Sequence, residues 1–163
     1  MSNKRFFIIA VIMLFVPKDF IRADDNTKIV DIEYIEMSSW NWEALGYHIK
    51  ISSDGSYESY LKRGDTIEGE IKKGEIADEE LNRLIKSFQK CNFYGLKNRY
   101  KEPKKITRMG KNYLLTIKTI NKTKSVEFYS ESKNIPICLR KIVKQIEEIY
   151  SGKAISEGLN QIK

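Results

Sequence analysis

The sequence predicts an α+β domain: an antiparallel sheet of about five strands with two helices packed on one face, in the order β-β-β-α-β-β-α. Three observations carry this. Segments such as "GYHIKIS" and "SYESYL" alternate apolar and polar residues, the period of a half-buried strand. Short turn-forming links join these strands as hairpins, which implies an antiparallel sheet. Two later segments change to the spacing of an amphipathic helix.

Taken in order, "VDIEY" from Val30 has the strand period. In "GYHIKIS", Tyr47, Ile49 and Ile51 share one face, and His48, Lys50 and Ser52 the other. Asp54-Gly55 tolerates the positive φ of a tight hairpin, and "SYESYL" returns as the next strand. A second turn falls at Arg63-Gly64-Asp65. The weaker strand "TIEGEIKKGEI" follows, with Ile67 and Ile71 on one side and bends suggested by Gly69 and Gly74. From Ala77-Asp78, Leu81, Leu84, Ile85 and Phe88 fall at i, i+3, i+4 and i+7, and acidic residues Asp78, Glu79 and Glu80 suit the first turn of a helix. "NYLLTIKTI" and "KSVEFYS" read as two strands joined at Asn121-Lys122-Thr123. Pro136 opens a last helix with Leu139, Ile142, Val143, Ile146 and Ile149 or Tyr150 inward.

The N-terminus has the layout of a secretory signal: Lys4-Arg5, then the apolar run Phe6 to Val16, then Pro17. Its 11 apolar residues fall short of the roughly 20 that span a bilayer. Cleavage is expected after Ala23, giving a signal peptide at 1–23, a single domain at 24–151 and a flexible tail at 152–163. The expected location is periplasmic or secreted, with no stable transmembrane segment after cleavage and the oligomeric state left open. The mature part keeps 25 basic and 21 acidic side chains, a net +4. Export places Cys91 and Cys138 in an oxidising compartment, where one disulfide is an option. The preferred reading is two buried thiols packing as small hydrophobes.

Candidate chemistry is sparse. His48 is the only histidine, on the polar face of its strand, and is expected to be solvated and without catalytic partners. Ser52, Ser53 and Asp54 fit the turn. One histidine and two separated cysteines do not make a zinc cluster, so no metal and no cofactor are expected. Glu68 and Glu70, two apart on a strand, are the pair most able to flank a sugar, which makes a carboxylate-dependent hydrolase of envelope polymers the alternative function. The segment Lys97 to Lys111 carries seven basic residues against Glu102 alone. Its Arg99, Lys104, Lys105 and Arg108, interleaved with tyrosines, are candidates for holding an anionic polymer. "SSWNWEALG" holds both tryptophans, Trp40 and Trp42, two residues apart. In an extended segment they would share a side and form a binding surface.

From about Ile32 to Ile149 the chain resembles a family of small bacterial exported domains known only as a domain of unknown function (DUF6438). "YHIKISSDGSYESY", "GEIADEELNRLIKSF", "NFYGLKNRY" and "YLLTIKTINKTKSVEFY" carry the likeness. The family typically has a Cys-x-x-x-Cys-Pro-x-Tyr run before the first hairpin. Here the matching positions are Trp40, Ala44, Leu45 and Tyr47, so the chain is read as lacking the family's cysteine pair and any redox or metal role tied to it. The resemblance implies fold and export but no activity. The expected function is that of an exported, non-enzymatic module binding a protein or an envelope component.

Overall fold

Turn chemistry fixes the first half of the sheet. Asp54 Oδ1 accepts hydrogen bonds from the Ser56 N–H at 3.0 Å and the Ser56 hydroxyl at 2.7 Å, while Gly55 takes φ 85°. That turn joins β2 (Leu45–Ser52) to β3 (Ser56–Arg63), and its register sets His48 opposite Tyr60 and Lys50 opposite Glu58. The structure is a computed structural model and describes residues 29, 31–100 and 110–152. The proposed signal peptide at 1–23 and the tail beyond Gly152 lie outside the described residues.

The remaining elements are β1 (Ile32–Trp40), β4 (Thr66–Glu75), α1 (Asp78–Lys90), a 3-10 turn at Phe93–Gly95, β5 (Arg99–Tyr100), β6 (Asn112–Thr119), β7 (Thr123–Tyr129) and α2 (Ile137–Tyr150). The described strands form one sheet in the order β4-β3-β2-β1-β6-β7-β5. The α+β class and the two helices agree with the sequence reading. The strand count rises from about five to seven, and one pairing, β5 with β7, is parallel. β1 exceeds "VDIEY" because it is the central strand, paired with β2 on one side and β6 on the other as far as Trp40. With its two residues, β5 is too short to show a period.

The core lies on one side of the sheet. Ile35 and Met37 of β1 oppose Ile51 and Ile49 of β2, and Ile117 and Leu115 of β6. All six are buried to 1% exposure or less, together with Leu84 and Phe88 of α1 and Leu139, Ile142 and Ile146 of α2. Truncating any one of these aliphatic side chains to Ala should cost about 2–5 kcal/mol. α1 has no side-chain cap at Ala77, and its three first-turn acids stand at the positive end of its dipole instead.

Two ties hold α2 in place. At its C-terminal end, Tyr47 and Tyr113 both donate their hydroxyls to Glu147 Oε1 at 3.0 Å, and Tyr150 stacks on Tyr47 with ring centroids 4.5 Å apart. Burial first, and then the charge of Glu147, push both phenols well above their ordinary range. At its N-terminal end a disulfide joins Cys138 to Cys91, the residue that closes α1. This corrects two expectations. The cysteines are bonded and not free thiols, and the chain does carry a cysteine pair. The packing explains the bond: the end of α1 and the start of α2 bring the two Cα atoms to 5.4 Å, within disulfide reach.

Candidate functional site

Because α1 and α2 lie on one face, alternation sends the other set of strand side chains to the opposite, helix-free face. β1 contributes Tyr34, Glu36, Ser38 and Trp40; β2 contributes His48 and Lys50; β3 contributes Glu58, Tyr60 and Lys62. The register lines these into rows across the strands. One runs Leu114, Ser38, His48, Tyr60, and the next Thr116, Glu36, Lys50, Glu58, Lys73. Charges alternate along the second row, and Lys73 Nζ meets Glu58 Oε1 at 2.7 Å.

His48 has partners here, contrary to the sequence reading. Ser38 Oγ lies 3.0 Å from its Nδ1, Glu36 Oε1 lies 3.6 Å from its Nε2, and Tyr60 stacks on the ring with centroids 4.8 Å apart. Its side chain is 14% exposed. Burial holds the imidazole below its usual pKa, the charge of Glu36 opposes this, and Lys62 and Lys50 reinforce it. A neutral ring with its proton on Nε2 satisfies both neighbours: the Ser38 hydroxyl donates to Nδ1, and the Nε2 proton faces the carboxylate.

Ser38, His48 and Glu36 thus form a chain of contacts with the residue types of a nucleophile, a base and an orienting carboxylate. The surroundings do not suit acyl transfer. Ser38 is only 7% exposed, and it sits in the central strand with ladders on both sides. The backbone N–H groups beside it are committed to those ladders and are not aimed where an oxyanion would develop. The cluster reads as a cross-strand fastening that orders this half of the face.

The tryptophan segment closes one end of the face. Asn41 Oδ1 accepts from the N–H of Glu43 at 2.9 Å and of Leu45 at 3.0 Å, and Ala44 takes φ 59°. Gly64 N–H donates to Ala44 O at 2.9 Å, which ties this turn to the β3–β4 turn. Trp40 ends β1 half-buried, whereas Trp42 stands in the turn at 58% exposure. The same-side argument for the pair does not hold, because the chain leaves the extended conformation at Trp42. Opposite Trp40, Gly46 is required: a Cβ there would come within 1.6 Å of Ser39 O.

Other candidates separate. Arg99 Nε lies 3.4 Å from Glu127 Oε2, so its charge is already partnered. Lys104, Lys105 and Arg108 lie outside the described residues. Glu68 is held by Arg63 at 2.6 Å, and a bulge with Gly69 at φ 80° separates it from Glu70, so the two do not follow the simple alternation that would give them one face. Among the described residues no group of three or more His, Cys, Asp or Glu side chains is placed to hold a metal ion.

The Asp54-Gly55 turn pointed to β3 as the neighbour of β2, but the loop has three residues, Ser53 to Gly55, and sets Tyr60 opposite His48 where a two-residue turn would set Leu61. The Ser38 and Glu36 contacts were not readable either. They depend on the β1–β2 turn, whose positive-φ residue is an alanine and gives no sequence signal.

These features define a class: a small α+β domain with one sheet face packed under two helices and the other lined with aromatic and charged side chains. The sequence model of the family described as Domain of unknown function (DUF6438) matches residues 46–150, and the chain belongs to that family. No curated protein matches the chain.

Proposed function

We propose that the protein is an exported, non-enzymatic binding domain that captures a protein of the cell envelope through the Trp42 turn and the adjoining end of the helix-free face. The observation that carries this reading is Trp42, a large apolar side chain 58% exposed on a turn braced by Asn41 and Gly64. Tryptophan is favoured at binding hot spots because it brings a large rigid area at low entropic cost. The brace holds the backbone under it before any partner arrives. Export is supported by the signal-like N-terminus and is compatible with the Cys91–Cys138 bond. No helix among the described residues is long and apolar enough to cross a membrane.

The test is capture from the native envelope fraction by wild-type protein and by Trp42→Ala. The expected result is an unchanged melting curve with partner recovery reduced at least about tenfold, the scale of a tryptophan hot spot. Equal recovery by the variant would remove the turn as the binding surface. Loss of recovery with neutralised Lys104, Lys105 and Arg108 instead, together with steep salt dependence, would move the site to the basic segment and its partner to an anionic polymer.

A further inference from the structure

His48 sits one row from the tryptophan end of the helix-free face. Beyond the row of Ser38 and His48, the register runs Asn112, Trp40, Gly46, Lys62, and β1 then enters the turn that carries Trp42. Gly46 has no side chain, so the β2 side chain diagonal to Trp40 on this face is His48, a separation that aromatic side chains bridge. The fastening suits only one form of the ring. Ser38 is 7% exposed, and His48 Nδ1 is the acceptor its hydroxyl has among the described residues. A second proton on the ring would occupy Nδ1, turn it from acceptor to donor and leave the Ser38 hydroxyl proton without a place to go.

The charged groups around the ring do not offset that loss. Glu36 of β1 lies 3.6 Å from Nε2, but Lys50 of β2 and Lys62 of β3 oppose it, and Glu58 of β3 is already held by Lys73. Tyr60 of β3 supplies a ring face, and Leu114 and Thr116 of β6, beyond β1, carry no charge. Neither helix covers this face, so the way out for a charged ring is into water. We propose that the helix-free face is acid-responsive: protonation of His48 frees its ring from Ser38, moves it off Tyr60 toward water and Glu36, and reshapes the surface beside Trp40 and Trp42, which weakens capture of the envelope partner. The effect on capture rests on the Trp42 reading, whereas the movement of the ring does not. Burial, reinforced by Lys62 and Lys50 and opposed by Glu36, holds the imidazole below its ordinary value, so the fastening is intact at neutral pH and opens only on acidification.

His48 is the only histidine and Trp40 and Trp42 are the only tryptophans, so two signals report the change without labelling. The imidazole proton resonance follows protonation of His48, and tryptophan fluorescence follows the surface beside it. Between pH 8 and pH 5, on protein whose far-ultraviolet dichroism stays native, the two should move together with one midpoint below 6.5, and the fluorescence change should vanish in His48→Gln. Glu36→Gln should shift the midpoint to lower pH and Lys62→Gln to higher pH, which a merely structural role of either side chain would not do. Recovery of the envelope partner by the wild type should be at least about fivefold lower at pH 5 than at pH 7, the low end of coupling between sites, and nearly equal at the two for His48→Gln. Fluorescence that stays flat while the imidazole titrates, a transition that survives in His48→Gln, or recovery that falls as far in that variant would overturn the proposal. Should Trp42→Ala capture as well as the wild type, the binding reading fails by itself, and the paired titrations still support or overturn the acid response.

Discussion

His48 resists protonation in the folded chain because its ring is half-buried between Ser38 and Tyr60, with Lys50 and Lys62 nearby. In the unfolded chain it titrates near the ordinary imidazole value of 6.5. Around and below that pH the unfolded state binds the proton more readily, so acid favours unfolding. Stability linked to His48 is therefore fully present above about pH 6.5 and lost as pH falls toward the lower folded pKa. Melting curves at pH 7 and pH 5 should show a fall in Tm for the wild type that is smaller in His48→Gln, after the general acid loss common to both is subtracted. Equal pH dependence in the two proteins would mean that His48 is not the group responsible. The sequence placed His48 on the correct face but missed its burial. Burial on an uncovered sheet face comes from neighbouring strands, here Tyr60 and Ser38, and not from the residue's own strand.

At the scale of elements, α2 is docked by contacts that its periodicity reveals and by others that it does not. Leu139, Ile142, Val143, Ile146 and Ile149 were legible from spacing alone, and all are buried. Glu147 lies between two of them and reads as a solvent residue, yet it accepts both tyrosine hydroxyls from the sheet. No spacing rule pairs a helix position with partners 100 and 34 residues away. Hydrogen bonds to a carboxylate contribute about 1.5–3 kcal/mol each. Tyr47→Phe and Tyr113→Phe should each lower stability by about 1–2 kcal/mol, and a double-mutant cycle of either with Glu147→Gln should show coupling near half or more of that loss. Additive effects in urea unfolding would show that the hydroxyls act independently of Glu147. β5 illustrates the opposite limit: a two-residue strand exists only because Arg99 and Tyr100 find Glu127 and Phe128, so nothing local announces it.

For the molecule as a whole, the Cys91–Cys138 bond closes a loop spanning 47 positions that contains β5, β6 and β7. Loop-closure entropy of that size is worth about 4 kcal/mol at most, so replacing both cysteines by Ala should lower stability by roughly 2–4 kcal/mol in urea titration. A loss under about 1 kcal/mol would mean that the helix ends stay together without the bond. The spacing of the cysteines could not decide their state, because the decision lies in how two helices meet across the sheet. The central position of β1 has a further consequence, which concerns time. A chain that emerges N-terminus first can add β2 to β1, β3 to β2 and β4 to β3 as each appears, but the second edge of β1 waits for β6, which lies beyond α1. Pairing across so long a stretch is slow. Until it happens, an interior edge lined by Ile35 and Met37 stands open to any strand that meets it. The rate at which β6 reaches β1 therefore sets how long each newly made molecule is vulnerable to aggregation.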